Sequence, residues 1–176
     1  AGYTRHQRAW RREVADQARC RVFQVEGDVV VPVGVVSDKA EFAARTIRPR
    51  IQKHLEQYLH PLPKVRLKYP SLEMDLPGLD LTDLHGLLGQ LKVDRGVPPV
   101  SGFFKGGPTE ARRRLRAFIR KRLERYETHR NQPQTDDISH MSPYLHFGQI
   151  APVALALAVR EAETGAGADR AAYLEE

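Results

Sequence analysis

Ser142 and Pro143 open the run Ser142-Pro143-Tyr144-Leu145-His146-Phe147-Gly148-Gln149-Ile150, with Ser139 three positions ahead. Serine before proline predicts a helix start. The hydroxyl can cap free backbone N–H groups, and proline fits the first helical position because it has no N–H to leave unpaired. A helix end of this kind carries partial positive charge and spare donors, so it suits an anion such as phosphate. Upstream, residues Lys105 to Arg130 hold ten Lys/Arg against three Asp/Glu, while the rest of the chain has 18 basic and 19 acidic residues. The whole net charge of +6 therefore belongs to one segment. A charge so placed argues for a local anionic partner.

The arginines concerned are Arg112-Arg113-Arg114, Arg116 and Arg120-Lys121-Arg122. They have two readings, a solvated helix face or a contact to DNA phosphates, the latter sequence-independent and weakened by salt. The seven histidines suggest no metal site: His54 and His60 stand six apart, as do His140 and His146, without a Cys/His cluster to complete either pair. His146 reads as a structural hydrogen-bonding residue. No Gly-rich phosphate loop, nucleophile elbow or dinucleotide fingerprint occurs, and Glu161 and Glu163 have no catalytic setting. Cys20, the single cysteine, excludes an internal disulfide and reads as a buried structural thiol.

The elements that must position these residues follow from periodicity. Residues 5–18 predict a basic amphipathic helix with Trp10, Val14 and Ala18 at helical spacing. Arg21-Val22-Phe23-Gln24-Val25 and Val29-Val30-Val31 predict extended strands, and helix followed by strands suggests the end of an α/β layered unit. Asp38 and Glu41 stand at capping-box spacing before a helix through Ala40, Phe42, Ala43 and Ala44. Pro49 is expected to start a new helical segment through Ile51, Leu55 and Leu59. From His60 to Gly107, six prolines predict a long connection with short helical pieces. The most regular helix is expected from about Thr109 to Thr128, with Leu115, Phe118, Ile119, Arg122, Leu123 and Tyr126 on one face and Arg112, Arg113, Arg116 and Arg120 on or beside the other. Val153 to Val159 predict a helix apolar nearly all round, ended by Gly165-Ala166-Gly167, after which Asp169 could cap another.

With 41% hydrophobic residues and no apolar run of about 20 residues, the expectation is a globular chain with no membrane partner, cytoplasmic or nuclear. It starts without an initiator methionine or a signal-peptide core, which suggests a piece of something longer.

The nonapeptide from Ser142 to Ile150 resembles the flavin-site signature of the photolyase/cryptochrome family, and its His-Phe-Gly-Gln-Ile ending is most similar to class II cyclobutane pyrimidine dimer photolyases. In that family a tyrosine near the end of a basic helix, here Tyr126, contacts FAD. It stands 12 residues before a phosphate-binding segment, here Ile138-Ser139-His140-Met141-Ser142. Ile138 replaces the family's threonine, so a contact there would be main-chain. Met141 replaces a leucine. Gly106-Gly107 with the arginines after it, Asp28 to Pro32, and Ser37-Asp38-Lys39 with Ala44 to Pro49 resemble the class II pattern too.

The resemblance implies the α/β end of an antenna domain (1–59), an interdomain linker (60–107) and the start of an all-α FAD-binding domain (108–176), the whole mostly helical. It implies light-driven repair of dimer-containing DNA by a monomeric full-length enzyme. Tyr126 and residues 138–142 would bind FAD and would not be acid–base or nucleophilic catalysts. Arg112, Arg113, Arg116 and Arg120 would meet DNA. An antenna chromophore of deazaflavin or folate type would sit in the antenna domain. The 176-residue chain alone is expected to be inactive. Two other readings are a cryptochrome-type flavin light sensor and a DNA-binding module without flavin.

Overall fold

The structure is a computed structural model and describes residues 4–69, 72–75 and 78–176. Pro70 and Pro77, two of the six prolines in the expected connection, lie outside the described residues. The chain divides into two units, residues 1–61 with 106–176, and residues 62–105.

In the first unit, α1 spans Arg5–Gln17 and starts where the sequence places it. Thr4 caps it: the Gln7 N–H donates to the Thr4 hydroxyl while the Gln7 side chain accepts from the Thr4 N–H, at 3.4 and 3.1 Å. The expected strands do not form. Residues 21–27 are irregular, and Val33–Val36 make a single turn, α2. Strand backbone needs a neighbour for its N–H and C=O groups. Val22, Phe23 and Val25 have none among the described residues, and remain 46%, 76% and 83% exposed. The chain is mostly helical, with no strand among the described residues, so the α/β end expected over residues 1–59 is corrected to helices and irregular chain.

Nor does the Asp38–Glu41 capping box form. Glu41 accepts from the Ser37 hydroxyl at 2.9 Å, and α3 begins only at Ala44, running to Tyr58. Pro49 does not start a segment but sits inside this helix, where it removes one backbone donor. Leu59, which ends α3, is buried and accepts from Arg160 Nη1 at 3.1 Å, tying α3 to the C-terminal helices. An Arg48–Glu175 ion pair makes a second tie.

Among the described residues of the second unit, 62–105, one helix forms, α4 (Leu84–Gln90). Asp83 caps it by accepting from the Gly86 N–H at 2.8 Å.

The basic helix, α5, runs Pro108–Lys121 and buries Ala111, Leu115 and Phe118. It ends earlier than the periodicity predicts. Arg122 leaves helical geometry (φ −132°, ψ −25°), Leu123–Arg125 make a 3₁₀ turn, and Tyr126–His129 form α6. Leu123 is fully buried at this break, and Gly165 packs against it. A Cβ on Gly165 would stand 3.1 Å from the Leu123 side chain, and its φ of 79° favours glycine. After an irregular stretch come α7 (Ser142–His146), α8 (Pro152–Arg160) and α9 (Gly167–Glu175), with α9 packed on α6 and α8. Of α8, expected to be enclosed all round, Leu155, Ala156 and Val159 are buried while Ala154 is exposed. Among the described residues, no helix is long and apolar enough to cross a membrane.

Candidate functional site

The break at Arg122 decides where the site residues go. Had α5 continued, Tyr126 would extend its apolar stripe. Instead the chain turns, and the Tyr126 ring packs in a triangle with Phe118 of α5 and Tyr173 of α9. Its centroid lies 5.7 Å from Phe118 and 5.0 Å from Tyr173. The Glu176 carboxylate lies near the Tyr126 hydroxyl and accepts from Arg130 Nη1 at 2.6 Å. Burial, helped by the nearby carboxylate, pushes the Tyr126 phenol up to about 12.

Ser139 joins this cluster from the opposite side. Its hydroxyl faces the Tyr173 phenol closely enough to lower that group's pKa, and it accepts from the Met141 N–H at 3.4 Å. The structure thus brings Tyr126 and Ser139 together, with Tyr173 between them. Tyr173 had no role in the sequence reading, because nothing in the local pattern marks it. Burial raises its phenol too, partly offset by the Ser139 hydroxyl.

Ser142 is not the helix cap that the Ser-Pro pair predicts. It is the first residue of α7, Met141 holds the cap position, and no side chain caps the turn. The cause is His140, whose φ of 53° is left-handed. That geometry sends Met141 into the core, where it is 1% exposed, and leaves Ser142 at the surface. With a single turn after it, α7 has little macrodipole to offer an anion. Ile138 is 39% exposed, and its main-chain oxygen accepts from Arg122 Nη1 at 3.3 Å.

An anion-compatible surface exists beside α7. Ser139 and His140 line a cleft of about 250 Å³ with Arg113, Arg114, Lys121 and Arg122, floored by Phe118. Cofactor pockets for whole drug-sized ligands run about 300–1,000 Å³. The cleft is thus too small for a complete dinucleotide, but its four cations and two polar side chains suit a diphosphate. Tyr126, Ile138, Met141 and Ser142 do not line it. The residues therefore fit the phosphate portion of FAD.

Two adjacent carboxylates, which the sequence reading passed over, hold this segment. Asp137 accepts from Arg125 at 3.0 and 3.1 Å, and its Oδ2 lies 2.6 Å from His129 Nδ1. Asp136 pairs with Arg122 at 2.8 Å and with His140 Nε2 at 2.5 Å. The Arg125 and His129 hydrogen bonds keep Asp137 well below the usual carboxylate range, and His140, then Arg122, lower Asp136. A signal did exist: two acids shortly after a run of Arg and His at helical spacing.

On the outer face of α5, Arg112, Arg116 and Arg120 are exposed, opposite the buried Ala111–Leu115–Phe118 stripe. Arg112 and Arg116 line a groove of about 490 Å³ against Gln149, Ile150 and the start of α8. Arg113 differs, because both its Nε and Nη2 donate to Glu110 at 2.7 Å. Glu110 also accepts from Arg114 at 3.1 Å, and these pairs lower its pKa to about 2. Among the described residues, no three His, Cys, Asp or Glu side chains come together to hold a metal ion.

Comparison with known proteins gives one family name. Residues 1–67 match the family model described as DNA photolyase. A deoxyribodipyrimidine photo-lyase of Methanothermobacter thermautotrophicus is 38% identical over 161 residues, covering 92% of this chain and 35% of the relative. Proteins of the same name from Potorous tridactylus and Arabidopsis thaliana are 36% and 32% identical, covering 83% and 88% of this chain and 27% and 32% of theirs. The chain thus spans about a third of the length of the curated relatives it matches.

Proposed function

Because this chain belongs with the DNA photolyases in sequence, we propose that it supplies the first part of the FAD-binding region in a light-driven DNA repair enzyme. The substrate class is DNA carrying cyclobutane pyrimidine dimers. One observation carries the reading: Ser139 and His140 open onto the same cleft as Lys121, Arg122, Arg113 and Arg114. The division into residues 1–59, 60–107 and 108–176 is part of the same proposal.

In this reading the cations of the cleft neutralise the cofactor's phosphates, and Ser139 and the backbone around His140 orient them. Tyr126 packs edge to face on Tyr173 and keeps the aromatic cluster beside the site packed. Bound FAD supplies, on absorbing light, the electron that opens the dimer, and the protein supplies position and charge. The exposed Arg112, Arg116 and Arg120 hold the DNA backbone without reading sequence, as a search for damage in any sequence context requires. Reaching the lesion takes the dimer out of the duplex stack.

The full activity belongs to a protein of the relatives' length; the 176-residue chain alone is expected to bind FAD weakly and to repair nothing. Titrating the chain with FAD and following flavin fluorescence polarisation tests the cleft. Saturable binding, weakened by Lys121→Ala and by Ser139→Ala, is the expected result. Absence of binding at any accessible FAD concentration, or binding indifferent to both substitutions, would remove the cleft as the flavin site. Photorepair by the chain alone would contradict the expectation that it is inactive.

A further inference from the structure

We infer that Asp136 and Asp137 act as a two-carboxylate clasp whose task is to position Ser139 and His140 at the cationic cleft. The purpose of that positioning rests on the flavin reading. The clasp itself rests on geometry.

Asp136 and Asp137 engage separate partners. Asp137 reaches back to the turn after α5, taking Arg125 through both oxygens, and to the last residue of α6, taking His129 at 2.6 Å. A carboxylate can only accept, so His129 Nδ1 carries the shared hydrogen. Asp136 reaches both ways. Arg122 holds it from upstream at 2.8 Å, and it holds His140 downstream at 2.5 Å.

His140 is the only residue other than glycine with positive φ among the described residues. Such a conformation costs free energy at a branched or long side chain and persists where surroundings impose it. Asp136 is in place to impose it. Arg122 adds a third tie through the Ile138 carbonyl at 3.3 Å. Ser139 lies between two anchored residues, which directs its hydroxyl toward Tyr173 and the cleft.

Neither aspartate lines the cleft, though Asp136 bonds two residues that do, Arg122 and His140, so both are positioning residues and not ligands. Their effect should be local. Hydrogen exchange in the complete chain measures this, with the α5 amides as internal reference, in Asp137→Asn, Asp136→Asn and the conservative Asp137→Glu. In Asp137→Asn, exchange at residues 138–142 should rise about tenfold while α5 is unchanged, and Asp137→Glu should retain most of the protection. Unchanged exchange at 138–142, or a rise shared equally by α5, overturns the clasp. A parallel FAD titration should show affinity about tenfold weaker in Asp137→Asn and recovered in Asp137→Glu. Equal affinity in wild type and Asp137→Asn overturns the positioning role. If wild type binds no FAD while exchange responds locally, the flavin reading fails and the clasp stands.

Discussion

Tyr126 and Tyr173 meet edge to face, with ring centroids 5.0 Å apart and planes at 69°. Tyr173 also stacks on Phe118 with centroids 5.0 Å apart and lies beside Ser139, so a single side chain links α5, α6 and α9 next to the segment before α7. Replacing it by alanine should cost about 3 kcal/mol, from the cavity and the lost aromatic pairs. Tyr173→Phe keeps the ring contacts and should cost no more than about 1 kcal/mol. Urea unfolding of both variants measures this. Equal costs would mean that the hydroxyl, and not the ring, holds the junction.

Alkaline pH should loosen the same junction. The Tyr126 pKa stands at about 12 in the fold and at the ordinary value of 10 when unfolded. A group whose folded pKa is raised stabilises fully below the unfolded value and loses that contribution as pH rises toward the folded one. Stability should therefore fall between pH 10 and about 12, and less steeply in Tyr126→Phe. Thermal unfolding across that range checks the difference. Parallel curves for the two proteins would contradict it.

Acid should act at the other end of α5. Glu110 drops from 4.5 to about 2 on folding, first through its bond with Arg113 and then through Arg114. A depressed carboxylate stabilises above its unfolded pKa and loses that as pH falls through the folded one. Helicity followed by circular dichroism should decline between pH 4.5 and about 2, and Glu110→Gln should lack this component. A Glu110→Gln curve identical to wild type would show that the pairs do not stabilise the helix.

The arginines of α5 should separate in a salt series. Removing one phosphate contact lowers the slope of log K against log salt by about 1. Arg112→Ala, Arg116→Ala and Arg120→Ala should each do so for duplex DNA binding. Arg113→Ala should do so less, because its guanidinium already serves Glu110. Equal slopes in all four variants would return this face to plain solvation.

How far these features could be read in advance depended on range. The α5 stripe of Leu115 and Phe118 opposite the arginines is local periodicity, and it survives folding because burial enforces it. Thr4 with Gln7 needs only neighbours, and α1 starts accordingly, although that pair was not singled out. The break at Arg122 was hidden, because apolar spacing continues through Leu123 and Tyr126. What stabilises the turned chain there is Asp137 on Arg125, arriving from 12 positions downstream. Ser142 misled for a related reason. A serine caps a helix only from extended geometry of its own, and here Ser142 is already the first helical residue, with Met141 at the cap position. Residues 21–31 have strand composition, but strand formation needs a partner that composition does not report.

Asp169 carries a consequence for how the chain folds. This buried residue accepts from the Ala166 N–H at 3.0 Å with one oxygen and from the Glu127 N–H, 42 positions away, at 3.0 Å with the other. One carboxylate thereby starts α9 and supplies a bond at the start of α6, a helix of four residues too short to persist by itself. The two helices should order in one cooperative event, with α6 waiting for the slower loop closure that brings α9 home. A protease would therefore find the α6 region cuttable whenever α9 lifts away, even while α5 remains folded.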